Sequence, residues 1–264
     1  MNVMVGALWE FRGFILGSVR RELQAKYRNS LLGAFWLLLP PLAQIVVYTL
    51  IFSQIMRVRL PGVESNFGYS IYLCAGVLTW GLFAEIVGRS MSVFIENANL
   101  IKKLSFPRIS LPFIVIMSAG VNFLIVFGLF TLFLALTGSF PGWVFVATIP
   151  LLVVQVLFAV GVGVTLGVLN VFFRDVGQFF GIVLQFWFWL TPIVYPASIL
   201  PEQVKTFMAF NPMAVLIEGY QEILVNGLWP QWDKLAIVAV LSLALCALAL
   251  RLFRIHSGEM VDEL

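Results

Sequence analysis

Long stretches of the chain carry no Asp, Glu, Lys or Arg, among them 29–56, 109–173, 176–201 and 235–250. A helix crossing a hydrocarbon core of roughly 30 Å needs about 20 apolar residues. The first three stretches reach that length, and the second is long enough to cross twice. Gly138-Ser139-Phe140-Pro141-Gly142 divides the second, because Gly and Pro favour a tight connection over helix continuation. The last stretch is short, so Lys234 and Arg251 extend it by snorkelling to the two interfaces. The pattern predicts six spans at about 32–56, 69–94, 110–137, 143–172, 177–195 and 235–253. The ten-residue alternation of barrel strands is absent. The expected fold is therefore an all-α integral membrane protein, with a six-span domain over 32–264.

Three segments outside the spans depart from plain loops. Residues 1–31 read as an amphipathic interface segment. At 100° per residue Leu16, Val19, Leu23 and Tyr27 share an arc, with Arg21, Gln24 and Arg28 roughly opposite and Lys26 near the apolar side. The segment lacks the compact apolar stretch and small-residue site of a cleavable signal peptide. The connection after span two holds Asn97, Leu100, Ile101, Lys102, Lys103 and Leu104. Asn97 can cap a short helix and Pro107 can end it. Leu100, Ile101 and Leu104 fall on one face, an apolar patch that calls for a docking partner or for packing at the interface. Between spans five and six, five prolines from Pro192 to Pro230 interrupt an apolar, aromatic stretch. Two short helices dipping into the outer leaflet fit it, because irregular backbone at depth must be shielded by protein or line a cavity. They either gate an exit or seal the outer end.

Composition agrees with a membrane solvent: 61% of residues are hydrophobic, 11% are charged, and the mean hydropathy is +1.00. The placement of charge matters more than the net +3. Twelve of the 16 basic residues fall before span one, after spans two and four, in the tail, or at Arg89 near the inner end of span two. The opposite face has Arg57, Arg59, Lys205 and Lys234 against five carboxylates. The positive-inside rule puts both termini in the cytoplasm.

Candidate chemistry is sparse. Glu85 and Arg89, four apart in span two, form an intramembrane ion pair or, as a second reading, a relay. Span five is rich in aromatics, including Trp187. They face lipid or neighbouring helices, or stack on sugar. Gly161, Gly163 and Gly167 suit close helix packing. Cys74 and Cys246 sit in apolar runs as small hydrophobes, and His256 in a polar tail as a solvated residue. There is no Gly-x-x-x-x-Gly-Lys-Ser/Thr loop. Any ATP hydrolysis belongs to a partner, and the chain itself is expected to hold no cofactor and to bind no nucleic acid. No His/Asp/Glu set converges as in a membrane-embedded enzyme, and an ion-driven transporter would have Glu85 at its centre.

Several ordered stretches resemble the permeases of polysaccharide ABC exporters, the Wzm type of the type-2 ABC export class. They are Lys26-Tyr27-Arg28-Asn29-Ser30-Leu31-Leu32-Gly33-Ala34-Phe35-Trp36 running to Pro40, Asn99-Leu100-Ile101-Lys102-Lys103, and Phe106-Pro107-Arg108 running to Pro112. Phe172-Phe173-Arg174-Asp175-Val176, Thr191-Pro192-Ile193-Val194-Tyr195-Pro196 and Asn211-Pro212-Met213 complete the set. The resemblance implies a homodimer in the bacterial inner membrane whose first and fifth spans border a channel. Its cargo would be an O-antigen-like polysaccharide on a polyprenyl diphosphate lipid; teichoic acid, capsule or a small drug would keep the architecture and change the cargo. It implies that the helix around 97–104 couples to an ABC ATPase that uses ATP and Mg. Residues 197–227 would form the outer gate. Arg20, Arg21, Lys26 and Arg28 are candidates to receive the diphosphate, and Phe35, Trp36, Tyr48, Trp187, Tyr195 and Tyr220 are channel or gate candidates. Many relatives carry Tyr-Arg where this chain has Tyr220-Gln221, which puts that arginine's role in doubt here.

Overall fold

The computed structural model describes residues 11–27, 39–48, 50–51, 67–103, 106–197 and 200–264. Among the described residues all regular structure is helical. In chain order the helices are α1 (Arg12–Tyr27), α2 (Leu39–Tyr48), α3 (Gly68–Glu96), α4 (Ala98–Lys103) and α5 (Ser110–Leu136). A 3-10 segment (Gly142–Ala147) runs into α6 (Thr148–Phe172). Next come α7 (Asp175–Trp189), α8 (Glu202–Met208) and α9 (Pro212–Gln221). A π-helical turn (Glu222–Asn226), α10 (Trp232–His256) and α11 (Met260–Glu263) complete the chain.

Four of these are long and apolar enough to cross a membrane: Gly68–Glu96, Ser110–Leu136, Gly142–Phe172 and Trp232–His256. They match predicted spans two, three, four and six. Phe35, Trp36, Arg28 and Leu104 lie outside the described residues, as do the side chains of Lys26 and Tyr48. Much of predicted span one is outside them too, and its described part is the ten-residue α2. Predicted span five is corrected: its helix is the 15-residue α7, which stops at Trp189 instead of Tyr195. At 1.5 Å per residue it is about 22 Å long, short of the hydrocarbon thickness. Pro192 accounts for the stop, since its ring disfavours helical backbone at Thr191.

The predicted division of the long uncharged run is present. Thr137 caps α5, and Gly138 and Gly142 both take positive φ, which L side chains rarely adopt. The core lies where α3, α6, α9 and α10 pack together. Three glycines of α6 set those distances. A Cβ on Gly161 would meet Leu245 Cβ at 2.7 Å, one on Gly163 would meet Ser90 Cβ at 2.8 Å, and one on Gly167 would strike the Ser90 carbonyl oxygen. Helix backbones that close gain dispersion and weak contacts where lipid offers no hydrophobic drive. Buried amides fix the register: Gln155 Nε2 donates to the Thr79 carbonyl at 2.6 Å, and Asn170 Nδ2 to the Met91 carbonyl at 2.9 Å. Asn170 Oδ1 also accepts from Gly177 N at 2.8 Å, tying the α6–α7 corner to α3.

Candidate functional site: a charged groove at one end and a tied loop at the other

The amphipathic α1 packs on α5. Among its described side chains Ile15 and Val19, one turn apart, are buried, and Phe14 packs at 5.5 Å against Phe106 with the rings tilted by 46°. Leu16, the first residue of the expected interfacial arc, is 56% exposed on the side away from this packing. Arg20 and Arg21 are exposed, and Arg21 Nη2 donates to Ser18 Oγ at 2.9 Å. Glu22 reaches across to α3: its Oε1 lies 2.5 Å from Arg89 Nη2. Arg89 Nη1 in turn lies 3.4 Å from Glu85 Oε1, and Asn122 Nδ2 of α5 donates to Glu85 Oε2 at 3.2 Å. The pairing of Glu85 with Arg89 is thus one link of a four-residue chain across three helices. Sequence periodicity gave no sign of Glu22 or Asn122, since both come from other elements. Beside this chain opens a cavity of about 500 Å³. Ser18, Arg21 and Arg89 are at its polar rim, and Val93, Leu100 and Val115 are among its apolar lining.

The helix α4 follows α3 after one residue. Asn97 caps, but toward the preceding helix: its Nδ2 donates to the Val93 carbonyl at 2.8 Å, while its backbone carbonyl accepts from Leu100 N and Ile101 N. The described residues of the apolar patch, Leu100 and Ile101, pack against the chain itself. Ile101 is 6% exposed and packs into a cluster with Phe94, Leu111, Val171, Phe253 and Met260, and Leu100 packs against the same cluster. The chain's own tail, through Met260 on α11, covers that face. Asn99, Lys102 and Lys103 remain outward.

At the other end, the segment after α7 is held by hydrogen bonds that join distant parts of the chain. Tyr72 Oη donates within 2.9 Å of the Pro192 and Tyr195 carbonyls, Tyr69 Oη to the Val194 carbonyl at 2.6 Å, and Gln221 Nε2 to the Pro192 carbonyl at 3.2 Å. Gln221 is therefore a buried amide that serves a loop carbonyl. Gly76 leaves room for the loop, since a Cβ there would lie 3.1 Å from Ile193 Cγ2. Asn211 opens α9 and accepts from Met213 N and Ala214 N. It also accepts from Trp187 Nε1 at 2.8 Å and donates to Thr191 Oγ1 at 3.0 Å. Pro212 fits the first helical position.

Two channel candidates are placed inside the chain's own packing. Trp187, besides its bond to Asn211, meets Trp80, Phe83 and Phe158 edge-on. Tyr220 is 1% exposed within the main core, and its hydroxyl has no partner among the described residues. Tyr195 donates to the Trp189 carbonyl at 2.6 Å. Burial of Glu218 on α9 holds its carboxyl above the usual range; Lys234 opposes the shift and Glu222 adds to it.

The side chains of α7 left outward form a stripe missed as a unit in the sequence: Gln178, Phe179, Ile182, Gln185, Phe186 and Trp189. No α7 residue is fully buried. Beyond its end an apolar hollow of about 370 Å³ is bounded by Trp187, Val204, Phe207 and Phe210, the last two 79% and 83% exposed.

Comparison with known proteins places this arrangement. The ABC-2 type transporter profile matches residues 15–225. An O-antigen export system permease protein RfbA of Klebsiella pneumoniae is 34% identical over 208 residues, 78% of each chain. One of the same name from Myxococcus xanthus is 31% identical over 263 residues, 99% of each chain. The polysialic acid transport protein KpsM of Escherichia coli is 21% identical over 244 residues, 92% of this chain and 93% of its own.

Proposed function

The chain belongs to the ABC-2 type transporter family, and from that premise we propose that it is the membrane-spanning subunit of an ATP-driven exporter of lipid-linked, O-antigen-like polysaccharide. The observation that carries the reading is the outward stripe of α7. Planar rings at Phe179, Phe186 and Trp189 alternate with the amides of Gln178 and Gln185. Rings stack on the apolar faces of sugars while amides bond hydroxyls, and a helix with no buried residue needs a second surface. Two copies facing one another through α7 and the first span enclose a passage whose walls match a glycan. Relatives named for O-antigen export and for polysialic acid transport fit the same class of cargo.

The remaining parts take their places around that passage. In this reading the chain crosses six times, the fifth crossing made by α7 with the segment after it, and the positive-inside charge distribution puts both termini on the cytoplasmic side of the inner membrane. Arg20 and Arg21 on the exposed side of α1, with Lys26 and Arg28 beyond, offer cations to the lipid diphosphate. The helix α4 meets a separate ABC ATPase through Asn99, Lys102 and Lys103. The short helices α8 and α9 re-enter the outer leaflet and form the exit gate. Hydrolysis of ATP with Mg occurs in the partner.

Deletion of the gene, followed by analysis of surface polysaccharide and of cytoplasmic lipid-linked intermediates, tests the cargo. The expected result is loss of surface glycan with internal build-up of its lipid-linked form. Normal surface glycan without build-up overturns the reading.

A further inference from the structure

The interface helix α1 is held in two ways. Its first half is packed: Ile15 and Val19 are buried, and Phe14 packs against Phe106. Its second half is joined to α3 across the rim of the groove by Glu22 and Arg89, each about one-third exposed at 30%. The guanidinium holds two carboxylates at once, Glu22 closely through Nη2 and Glu85 more loosely through Nη1, and Glu85 is also bonded by Asn122.

We propose that Arg89 is a positioning residue for transport, closing on Glu22 in one state and releasing it in another, so that movement at α4 passes to α1. This rests on the reading of α4 as the helix that meets the ATPase. Three features make the clasp reversible. Released Arg89 keeps Glu85 and is not left as an unpaired charge, which would be costly in a partly buried site. Released Glu22 sits on an interface helix where water reaches it. The packed first half of α1 stays in place and acts as a pivot. The clasp is also in line with α4. Arg89 and Val93 are one turn apart on the inner end of α3, Asn97 is bonded to the Val93 carbonyl, and α4 starts at the next residue. The inner end of α3 and α4 therefore move as one body, with the groove between that body and α1 free to widen.

The test uses the full chain with its ATPase in vesicles, carrying Cys74→Ala and Cys246→Ala. Ser18→Cys and Glu96→Cys are placed on the two walls of the groove and joined by a short bis-thiol reagent. With the clasp intact, Mg-ATP is expected to change cross-linking yield by about threefold to tenfold, the range of couplings between packed elements. Arg89→Gln and Glu22→Gln should each abolish that response. The double variant should be no worse than either single one, as for two halves of one contact, and Arg89→Lys should restore the response. Membrane abundance is followed throughout and should stay level. A yield indifferent to nucleotide with the clasp intact, a response that survives in both Gln variants, or losses that multiply in the double variant overturn the proposal. The readout needs no cargo, so it stands apart from the polysaccharide assignment. Failure of any ATPase to copurify would instead strike the exporter reading itself.

Discussion

Single residues carry the close packing of this protein. Gly167 touches the Ser90 carbonyl oxygen with no room for a methyl group, whereas Gly128 on α5 has nothing within 4 Å of its missing Cβ. Backbone cannot move aside as a flexible side chain does, so Gly167→Ala should cost about 1–3 kcal/mol through overpacking. Gly128→Ala, in open space on a helix, should be neutral or stabilising by up to about 1 kcal/mol, because alanine lowers the freedom of the unfolded chain. Thermal unfolding in detergent compares the two; equal melting temperatures would refute the packing role. At the other end, Glu218 makes a pH-dependent contribution. Burial raises its carboxyl pKa in the folded state. The folded protein then holds a proton over a window in which the unfolded chain has lost it. Stability is full below the unfolded pKa and falls as pH rises through the folded one. The melting temperature of the unsubstituted protein should drop relative to Glu218→Gln across that window, and the gap should stop changing above it. A gap independent of pH would refute the assignment.

At the scale of elements, α4 separates two kinds of apolar residue that look alike in sequence. Leu100 and Ile101 share a face, and that face turns to Phe94, Phe253 and Met260 of the same chain. Lys102→Glu with Lys103→Glu should therefore weaken copurification of the ATPase about tenfold or more at unchanged membrane abundance, as loss of charge complementarity does at interfaces. Ile101→Asp should instead lower abundance, because it buries a charge. Quantitative immunoblots of membranes and of purified complex separate the outcomes, and the reverse pattern would restore an apolar docking face. The same comparison explains what was legible in the sequence. Spans three, four and six followed from uncharged length, span two from an apolar run interrupted only by Glu85 and Arg89, and the break at Gly138 and Gly142 from backbone preference. The early stop of α7 was foreshadowed by Pro192, but the bonds that hold the loop after it come from Tyr69, Tyr72 and Gln221, far away in the chain. The Glu85–Arg89 spacing was visible, while Glu22 and Asn122 needed the tertiary fold. An apolar stripe declares that it will be covered and not by what.

For the whole molecule, the same uncertainty of cover is resolved differently at α7. The four long helices α3, α5, α6 and α10 reach across a membrane, but α7 at 15 residues is too short to do so straight and has no fully buried side chain. A short helix with amides at Gln178 and Gln185 on its outward face is poorly suited to bare lipid, where unsatisfied polar groups are costly. Water, sugar or a second copy suits it better, and the proposed facing pair of α7 helices would supply all three. Gln185→Cys, made without Cys74 and Cys246, should therefore form a cross-linked dimer in native membranes. Leu124→Cys, also outward but on an apolar face of the uncharged α5, should stay monomeric. Joining the two copies at Gln185 should also stop glycan export, and reduction of the link should restore it, because the obstruction lies in the passage and not in the fold. Cross-linking at Leu124 in preference to Gln185, or export that continues through the joined pair, would place the passage elsewhere.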